Sequence, residues 1–249
     1  MRKHYKNNLI IIHIMAIKSL SDITHAYYIN LEHRTDRDAH VKKQLDNVGI
    51  NAQRFNAIKM KYGHIGCSMS HLKILQDAQK NNWDHILIIE DDITFLNPTL
   101  FKTQINKFFD LHQNDWDVIL LAGNNMPPHK EIDNTCIQVT RCQTTTGYLV
   151  NGHYINTLIQ NVKMGLTHLL SNPDDKFNYA IDKFWLKLQS QHKWFLIVPA
   201  TVIQKQDYSD IEQKVTNYEK LMQDIDKTEM LAAIKEKQMR EMLIKQFTR

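Results

Sequence analysis

A short apolar run, Ile86 to Ile89, leads directly into three consecutive carboxylates. These are Glu90, Asp91 and Asp92. Apolar runs bounded by polar residues are typical of strands buried on both faces of a parallel sheet, and ligands of open α/β sheets bind beyond the carboxyl ends of the strands. Because clustered acids resist burial unless a positive charge lies among them, the sequence predicts a divalent cation here. A solvated acidic turn is the alternative for the triplet taken alone.

Length and composition favour one globular α/β domain with an appendage. The chain has 249 residues, and its 7 Gly and 5 Pro argue against long flexible linkers. The formal net charge of +4 is small and dispersed, so it does not indicate nucleic acid as a partner, although it suits a phosphate-bearing substrate. The abundance of Ile, Asn and Lys indicates an AT-rich genome, of a bacterium or a large DNA virus.

The cysteines and histidines exclude some classes of site. Cys67, Cys136 and Cys142 are an odd number and lack metal-site spacing, so we expect reduced thiols in a cytoplasmic location, with a Cys136–Cys142 bridge left open. None of the 13 His residues forms a His-x-x-x-His pair with a nearby acid, which excludes a zinc protease.

Hydrophobic patterning divides the chain into three segments. Residues 1–22 are expected to be an N-terminal extension, because their apolar run at 9–17 is too short to span a bilayer. An extra buried strand is the alternative. Residues 23–210 are expected to form the domain. Residues 211–249 are expected to form an amphipathic helical tail that begins at a capping box, Ser209 to Glu212, and packs on the domain or on a second copy of the chain. Peripheral contact with a membrane is less favoured.

Strands and helices alternate in the proposed domain, which argues for a nucleotide-type α/β fold. A first helix should end at Gly49 in a left-handed cap, and Asn151 should cap a later helix. A small-residue loop, 63–71, should lead into another helix. Strands are predicted at 25–30, 51–58, 85–90, 117–123, 136–140, 144–150 and 194–198.

Other residues at the strand ends suit an anionic ligand. Arg34 and Arg37 follow the first strand at the start of a helix, where a diphosphate could bind, although a surface turn is the alternative. Gly63 and Gly66 permit close backbone approach ahead of a helix N-terminus. This loop lacks the Lys-Ser/Thr of a P-loop, so its signal is weak.

Six motifs occur in an order that resembles glycosyltransferase family 25, which includes lipopolysaccharide glycosyltransferases and collagen galactosyltransferase domains. The resemblance covers roughly residues 25–211. Each motif is weak alone, and the joint signal is strong because their order and spacing agree. The motifs are Tyr28 to Arg37, Gly66 to His71, Ile88 to Asp92, Thr146 to Val150, Asp182, and Pro199 to Ile211.

The resemblance implies a GT-A fold, a nucleotide-sugar donor (usually a UDP-sugar), Mn²⁺ or Mg²⁺, and transfer with inversion. The metal residues would be Glu90, Asp91 and Asp92, with Asp92 as the direct ligand. Asp182 would be the general base, or else a surface carboxylate beside Lys183. Gln204 and Asp210 would help to close the site. The donor-binding residues would be Asn30, Arg34, Arg37, Gly66, Ser70, His71, Thr146, Gly147 and Tyr148, with the last three towards the sugar or acceptor.

The expected product is a hexose joined to a hydroxyl of a lipopolysaccharide, another glycan or a hydroxylysine-type acceptor. Two other functions stay open. A catalytically silent family member could serve as a glycan-binding or scaffold protein. A haloacid dehalogenase phosphatase fits poorly, because its chemistry needs Asp-x-Asp with a nucleophilic first Asp, whereas this chain has Glu90 there.

Overall fold

The computed structural model describes residues 17–209, 211 and 214–247. Its strands are β1 (Ala26–Asn30), β2 (Gln53–Asn56), β3 (His85–Glu90), β4 (Ile93–Phe95), β5 (Val118–Leu120), β6 (Asn124–Asn125), β7 (His129–Glu131), β8 (Cys136–Val139), β9 (Cys142–Gln143), β10 (Gly147–Asn151), β11 (Trp194–Ile197), β12 (Val202–Gln204), β13 (Asp207–Ser209) and β14 (Lys214–Thr216).

The helices cover both faces of the main sheet. They are α1 (Thr35–Val48), α2 (Gly63–Lys80), α3 (Pro98–His112), α4 (Ile155–Ser171), α5 (Lys176–Tyr179), α6 (Ile181–Phe184), α7 (Leu186–Gln189), α8 (Glu219–Gln223) and α9 (Thr228–Phe247). Two 3₁₀ turns, Leu20–Asp22 and Gly152–Tyr154, complete the described elements.

An eight-stranded sheet in the order β2-β1-β3-β10-β5-β11-β8-β7 forms the centre of the molecule. Strands β2, β1, β3, β5 and β11 run in one direction, and β10 and β8 run against them. The α/β class predicted from the sequence is confirmed. The expected purely parallel environment of β3 is wrong, because its second neighbour is the antiparallel β10. As a result, β10 starts at the edge where β1 and β3 end.

The apolar run of β3 explains why the sheet has helices on both faces. All four residues from Ile86 to Ile89 have no exposed surface. Leu87 and Ile89 pack in one core with residues of α1 and α3, and Ile86 and Ile88 pack in a second core with residues of α2 and α4. Burying a side chain of this size stabilises the fold by about 1.5–3 kcal/mol.

Helix α1 ends as predicted, and α2 begins earlier than predicted. Gly49 follows α1 with φ +77°, the left-handed conformation that glycine adopts without steric cost. The expected loop at 63–71 is wrong, because helix α2 starts at Gly63. Within its first turns, Ser68 donates to the carbonyl of His64 and Ser70 to that of Gly66, each at 2.8 Å, so these hydroxyls are satisfied inside the helix.

The predicted capping roles of Asn151 and Ser209 are wrong. The Asn151 side chain makes no capping bond and instead donates to the carbonyl of Trp116 at 3.1 Å, while a 3₁₀ turn separates it from α4. Ser209 is the last residue of β13, which pairs with β14 in an antiparallel hairpin. The β-branched Val215 and Thr216 suit this strand, and the next helix begins only at Glu219.

Both ends of the expected domain extend further than the predicted boundaries. Ile17 and Leu20 are buried in the core of the domain, although residues 1–22 were expected to lie apart; residues 1–16 lie outside the described part. In the expected tail, Met222 is buried, and its sulfur accepts from the backbone of Gln204. Helix α9 exposes nearly all of its described side chains, so its apolar residues do not pack on the domain, and packing on a partner stays a prediction.

Two remaining questions from the sequence concern cysteine pairing and membrane spans. Cys67, Cys136 and Cys142 are all free thiols, so Cys136 and Cys142 do not pair. In the part of the chain that the structure describes, none of the helices combines the length and apolar character needed to cross a bilayer.

Helix α2 approaches the backbone that follows β2 at Gly66. A Cβ at position 66 would lie 2.3 Å from the carbonyl oxygen of Ile58. We expect Gly66→Ala to lower the free energy of unfolding by about 1–3 kcal/mol through overpacking, as measured by urea denaturation. Gly49→Asn is the matched control, because that position is open and Asn tolerates the left-handed conformation. A Gly66→Ala protein as stable as wild type would contradict the close approach.

Candidate active site

The three carboxylates lie where β3 ends, at the edge that the sheet direction makes available to ligands. Glu90 is the last residue of β3, and Asp91 and Asp92 form the turn into β4. Backbone bonds fix this turn on both sides: the amide of Glu90 donates to the carbonyl of Thr146, and the amide of Lys205 donates to the carbonyl of Asp92. The turn is therefore joined to the start of β10 and to the end of β12.

Asp91 and Asp92 face Arg37. One Arg37 nitrogen, Nη1, lies 2.9 Å from Oδ1 of Asp91 and 3.3 Å from Oδ2 of Asp92. The other oxygen of Asp91 accepts from Asn30 at 2.7 Å. Burial opposes ionisation of Arg37, but the charges of Asp92 and Asp91 outweigh it and raise the pKa of Arg37. This side of the acid turn is an ion network with α1.

A fourth carboxylate completes this network from the hairpin. Oδ2 of Asp207 accepts from Arg34 at 2.9 Å and from Arg37 at 3.2 Å. Arg37 also donates to the carbonyl of Tyr208 at 3.0 Å. Arg34 and Arg37, which the sequence suggested as diphosphate ligands, therefore already contact carboxylates and backbone of the same protein. Sequence reasoning missed Asp207, although it lies within the late motif.

Asp92 has the most unusual environment of the acids. Its Oδ2 accepts from Gln204 at 2.9 Å, whereas its Oδ1 is buried without a hydrogen-bond partner. Burial and then the charge of Glu90 raise the pKa of Asp92 to about 7. An unpartnered buried carboxylate oxygen is a suitable ligand for a hard divalent cation. The residues present therefore fit the expected Mn²⁺ or Mg²⁺, which Asp92 would hold together with Asp91.

Glu90 points away from the other two acids. Its Oε1 accepts from the hydroxyl of Thr145 at 2.7 Å and lies 3.5 Å from Nε2 of His71 and 3.6 Å from Sγ of Cys67. Burial favours the neutral form, but the neighbouring His71 and Thr145 outweigh it and lower the pKa of Glu90. Cys67, His71 and Glu90 also bring one donor atom each within 4.8 Å of one another.

Two clefts meet at the acid turn. The first, here called the arginine cleft, has a volume of about 280 Å³ and is lined by Arg34, Arg37, Asp91, Asp92 and the segment 57–61. The second, here called the Asp182 cleft, has a volume of about 290 Å³. The residues that line both clefts are Cys67, Glu90, Gln204, Ser209 and Ile211. Glu90 therefore forms part of the boundary between two adjoining spaces.

Asp182 lies on the short helix α6 in the wall of the second cleft. Its Oδ2 accepts from the amide of Thr144 at 3.2 Å, and Thr144 has φ +77°, which is uncommon for a β-branched residue. Burial raises the pKa of Asp182, while the charge of Lys183 acts in the opposite direction. The exposed Phe177 and the half-buried Lys176 line the same cleft. Sequence reasoning missed this pair because neither residue belongs to a recognised motif.

The structure separates the other predicted site residues into two groups. Ser70 lines the arginine cleft together with Arg34, Arg37 and the three acids. Six residues lie outside both cleft linings and contact the lining residues or each other: Asn30, Gly66, His71, Thr146, Gly147 and Tyr148. His71 and Tyr148, for example, are fully buried and share a hydrogen bond of 2.9 Å. Asp210 lies outside the described residues.

The sequence of this chain is similar to those of glycosyltransferases. Residues 59–185 match the family model described as "Glycosyltransferase family 25 (LPS biosynthesis protein)". A glycosyltransferase 25 family member of Anopheles gambiae is 25% identical over 166 residues, which cover 53% of this chain and 28% of the relative. A human relative, "Inactive glycosyltransferase 25 family member 3", is 24% identical over 134 residues, or 52% of this chain and 21% of the relative.

The chain thus spans less than a third of the length of these relatives. Among solved structures, it is similar to a glycosyltransferase involved in the glycosylation of the major capsid of PBCV-1. That structure has a TM-score of 0.46 and 12% identity, over 80% of this chain and 88% of the other. A Drosophila β-1,4-galactosyltransferase 7 in complex with manganese, UDP-Gal and xylobiose has a TM-score of 0.31 and 14% identity, over 54% of this chain and 51% of the other.

The match to the family model includes α2, the acid turn, the start of β10 and Asp182, and it extends over just over half of the chain. This chain belongs to glycosyltransferase family 25.

Proposed function

We propose that this chain transfers a hexose from a nucleotide sugar, with a UDP-sugar as the expected donor, to a hydroxyl of a glycan or hydroxylysine-type acceptor. The observation that carries the proposal is the position of the acid turn at the junction of two clefts, one with arginines and one with a buried carboxylate. Family membership supports the same reaction class and implies a GT-A fold, with which the mixed α/β sheet agrees.

The arginine cleft is the proposed donor side. Arg34 and Arg37 offer guanidinium donors that match the geometry of phosphate oxygens. Residues 57–61 line the same cleft and are the proposed contacts of the nucleobase. A divalent cation held by Asp92 and Asp91 would supply positive charge to the departing diphosphate. Asn30 holds Asp91 in place by its hydrogen bond of 2.7 Å and is in this proposal a positioning residue.

The Asp182 cleft is the proposed acceptor side. Direct displacement with inversion needs a group that takes the proton of the acceptor hydroxyl as the new glycosidic bond forms. Asp182 is the proposed base, because its carboxylate lines this cleft and its raised pKa makes it a stronger base than an ordinary aspartate. Glu90, which accepts a hydrogen bond of 2.7 Å from Thr145, lines both clefts, and the donor sugar would be placed beside it.

The contacts of Arg37 support a second candidate function, in which the chain is a catalytically silent family member that binds glycans without transferring them. Its guanidinium already contacts Asp91, Asp92 and Asp207, so much of the acid charge is balanced without a cation. One human relative carries the name of an inactive member. The unpartnered oxygen of Asp92 favours the enzyme, because balanced charge does not remove the cost of leaving that atom unsatisfied.

Replacement of Asp92 distinguishes the transferase hypothesis from the hypothesis of a catalytically silent glycan-binding protein. Asp92→Asn removes the charge that would hold the cation, so we expect kcat/KM for transfer or hydrolysis of a UDP-sugar to fall by about 100-fold or more. The measurement is turnover of a panel of UDP-sugars with and without Mn²⁺, together with thermal shift. Asp110→Asn, an exposed carboxylate on α3, is the control and should behave as wild type. Absence of turnover with every donor in the wild type would overturn the transferase proposal.

Asp182 gives a prediction about pH dependence. Because the base must be ionised, kcat/KM should rise with pH through the pKa of Asp182, at a higher pH than for an ordinary aspartate. Lys183→Met removes a positive charge that favours the ionised form, so the acidic limb should move to still higher pH. Asp182→Asn should abolish this limb and lower kcat by about 10²–10⁴-fold.

Asn106→Asp is the control for a general effect of charge on the pH profile of kcat/KM. Asn106 lies on α3 and lines neither cleft. If Asp182→Asn kept the wild-type pH profile, another group would be the base. If Lys183→Met left the acidic limb at its wild-type pH, Lys183 would not favour the ionised form of Asp182. The result for Asp182→Asn alone would then decide whether Asp182 is the base.

A further inference from the structure

The end of α3 and the segment that leads into β8 bring metal-ligating side chains together outside both clefts. His112 is the last residue of α3, Asp133 lies in the loop between β7 and β8, and Cys136 is the first residue of β8. One donor atom from each lies within 4.8 Å of the other two. We call these residues the His112 cluster. None of the three lines the arginine cleft or the Asp182 cleft.

The distances within the His112 cluster are close to those of a tetrahedral metal site. Nε2 of His112 lies 2.8 Å from Oδ2 of Asp133 and 3.7 Å from Sγ of Cys136. Bonds of about 2.0–2.3 Å from Zn²⁺ place neighbouring ligand atoms roughly 3.3–3.8 Å apart. The nitrogen–sulfur distance therefore needs little change, and the nitrogen–oxygen distance needs to open by about half an ångström.

Neighbouring groups hold each of these side chains in place. Both the amide and the hydroxyl of Thr135 donate to Oδ1 of Asp133, at 2.7 and 2.6 Å, which leaves Oδ2 to face His112. The imidazole of His112 stacks on Phe108 and Phe195, with ring centroids 4.5 and 5.6 Å away. Outer contacts of this kind orient the ligands of protein metal sites and raise metal affinity.

The cluster is buried at one end and open at the other. Cys136 has no exposed surface, whereas the side chains of His112 and Asp133 are 16% and 27% exposed. An ion that binds here would therefore approach from the side of His112 and Asp133, with water as its fourth ligand.

We propose that the His112 cluster binds Zn²⁺ through Nε2 of His112, Oδ2 of Asp133 and Sγ of Cys136. The thiol gives its proton to solvent as the zinc–sulfur bond forms, and the imidazole proton is carried on Nδ1 so that the Nε2 lone pair binds the metal. The hydrogen bond between His112 and Asp133 is replaced by two bonds to the ion. Imidazole and thiolate ligands favour zinc over Mg²⁺ or Mn²⁺, which prefer oxygen.

The consequence of binding is structural. The ion would join the end of α3 to the first residue of β8, which pairs with β11 near the far edge of the main sheet. A metal that binds only the folded chain stabilises it by mass action. This site is independent of the proposed transfer reaction, since it uses none of the residues assigned to it.

Cobalt provides the test, because Co²⁺ occupies zinc sites and a cobalt–thiolate bond gives a charge-transfer absorption in the near ultraviolet. We expect Co²⁺ added to the full metal-free chain to produce this band, and Zn²⁺ to remove it. Cys136→Ser should lose the band. Cys67→Ser is the matched control and should keep it, because Cys67 belongs to the other group of close donor atoms among the described residues, with His71 and Glu90.

Absence of the band in the wild type, or a band that persists in Cys136→Ser and disappears in Cys67→Ser, would overturn the proposal. If Cys136→Ser does not fold, as judged by circular dichroism, Asp133→Asn decides the matter because it leaves the thiol intact. We expect that variant to bind Zn²⁺ at least about tenfold more weakly, as measured by competition with a chelator. Unchanged Zn²⁺ affinity in Asp133→Asn would exclude Asp133 as a ligand.

Discussion

The contact of Arg37 with Asp91, Asp92 and Asp207 is the interaction on which the ligand-binding edge of this protein depends. Asp91 and Asp92 are buried, and burial of two adjacent carboxylates is unfavourable unless a cation compensates it. Arg37 supplies that compensation from α1, and Asp207 adds the hairpin to the same contact. One guanidinium thus joins the first helix, the end of the central strand and a segment that is 170 residues away in sequence.

The direction of the strands explains how the remaining groups reach this edge. Strands β1 and β3 end there, and the antiparallel β10 begins there, so Asn30, Glu90 and Thr145 arrive together from separate parts of the chain. Glu90 and Asp91 turn towards opposite sides as the strand passes into the turn. The sequence alone would suggest that the acid triplet forms one compact cation site. In the structure, its residues instead line two adjoining clefts.

Local patterns predicted β3, the end of α1 at Gly49 and the α/β class, because each depends on residues that are close in sequence. The start of α2 at Gly63 was missed because Gly-rich segments favour loops unless packing overrides them, as the contact of Gly66 with Ile58 does here. The pairing of Arg37 with Asp207 joins residues that are 170 positions apart, so local patterns do not predict it. The His112 cluster joins the last residue of α3 to two residues that follow 21 and 24 positions later, a spacing that matches no metal motif.

The attachment of the β13–β14 hairpin has a consequence for binding energetics. Arg34 and Arg37 hold the hairpin through Asp207 and the carbonyl of Tyr208, and the same guanidiniums line the arginine cleft. An anion that takes up these donors must compete with the hairpin for them. Anion binding and hairpin attachment are therefore negatively coupled: an anion that weakens hairpin attachment by a given factor is itself bound more weakly by that same factor when the hairpin is attached.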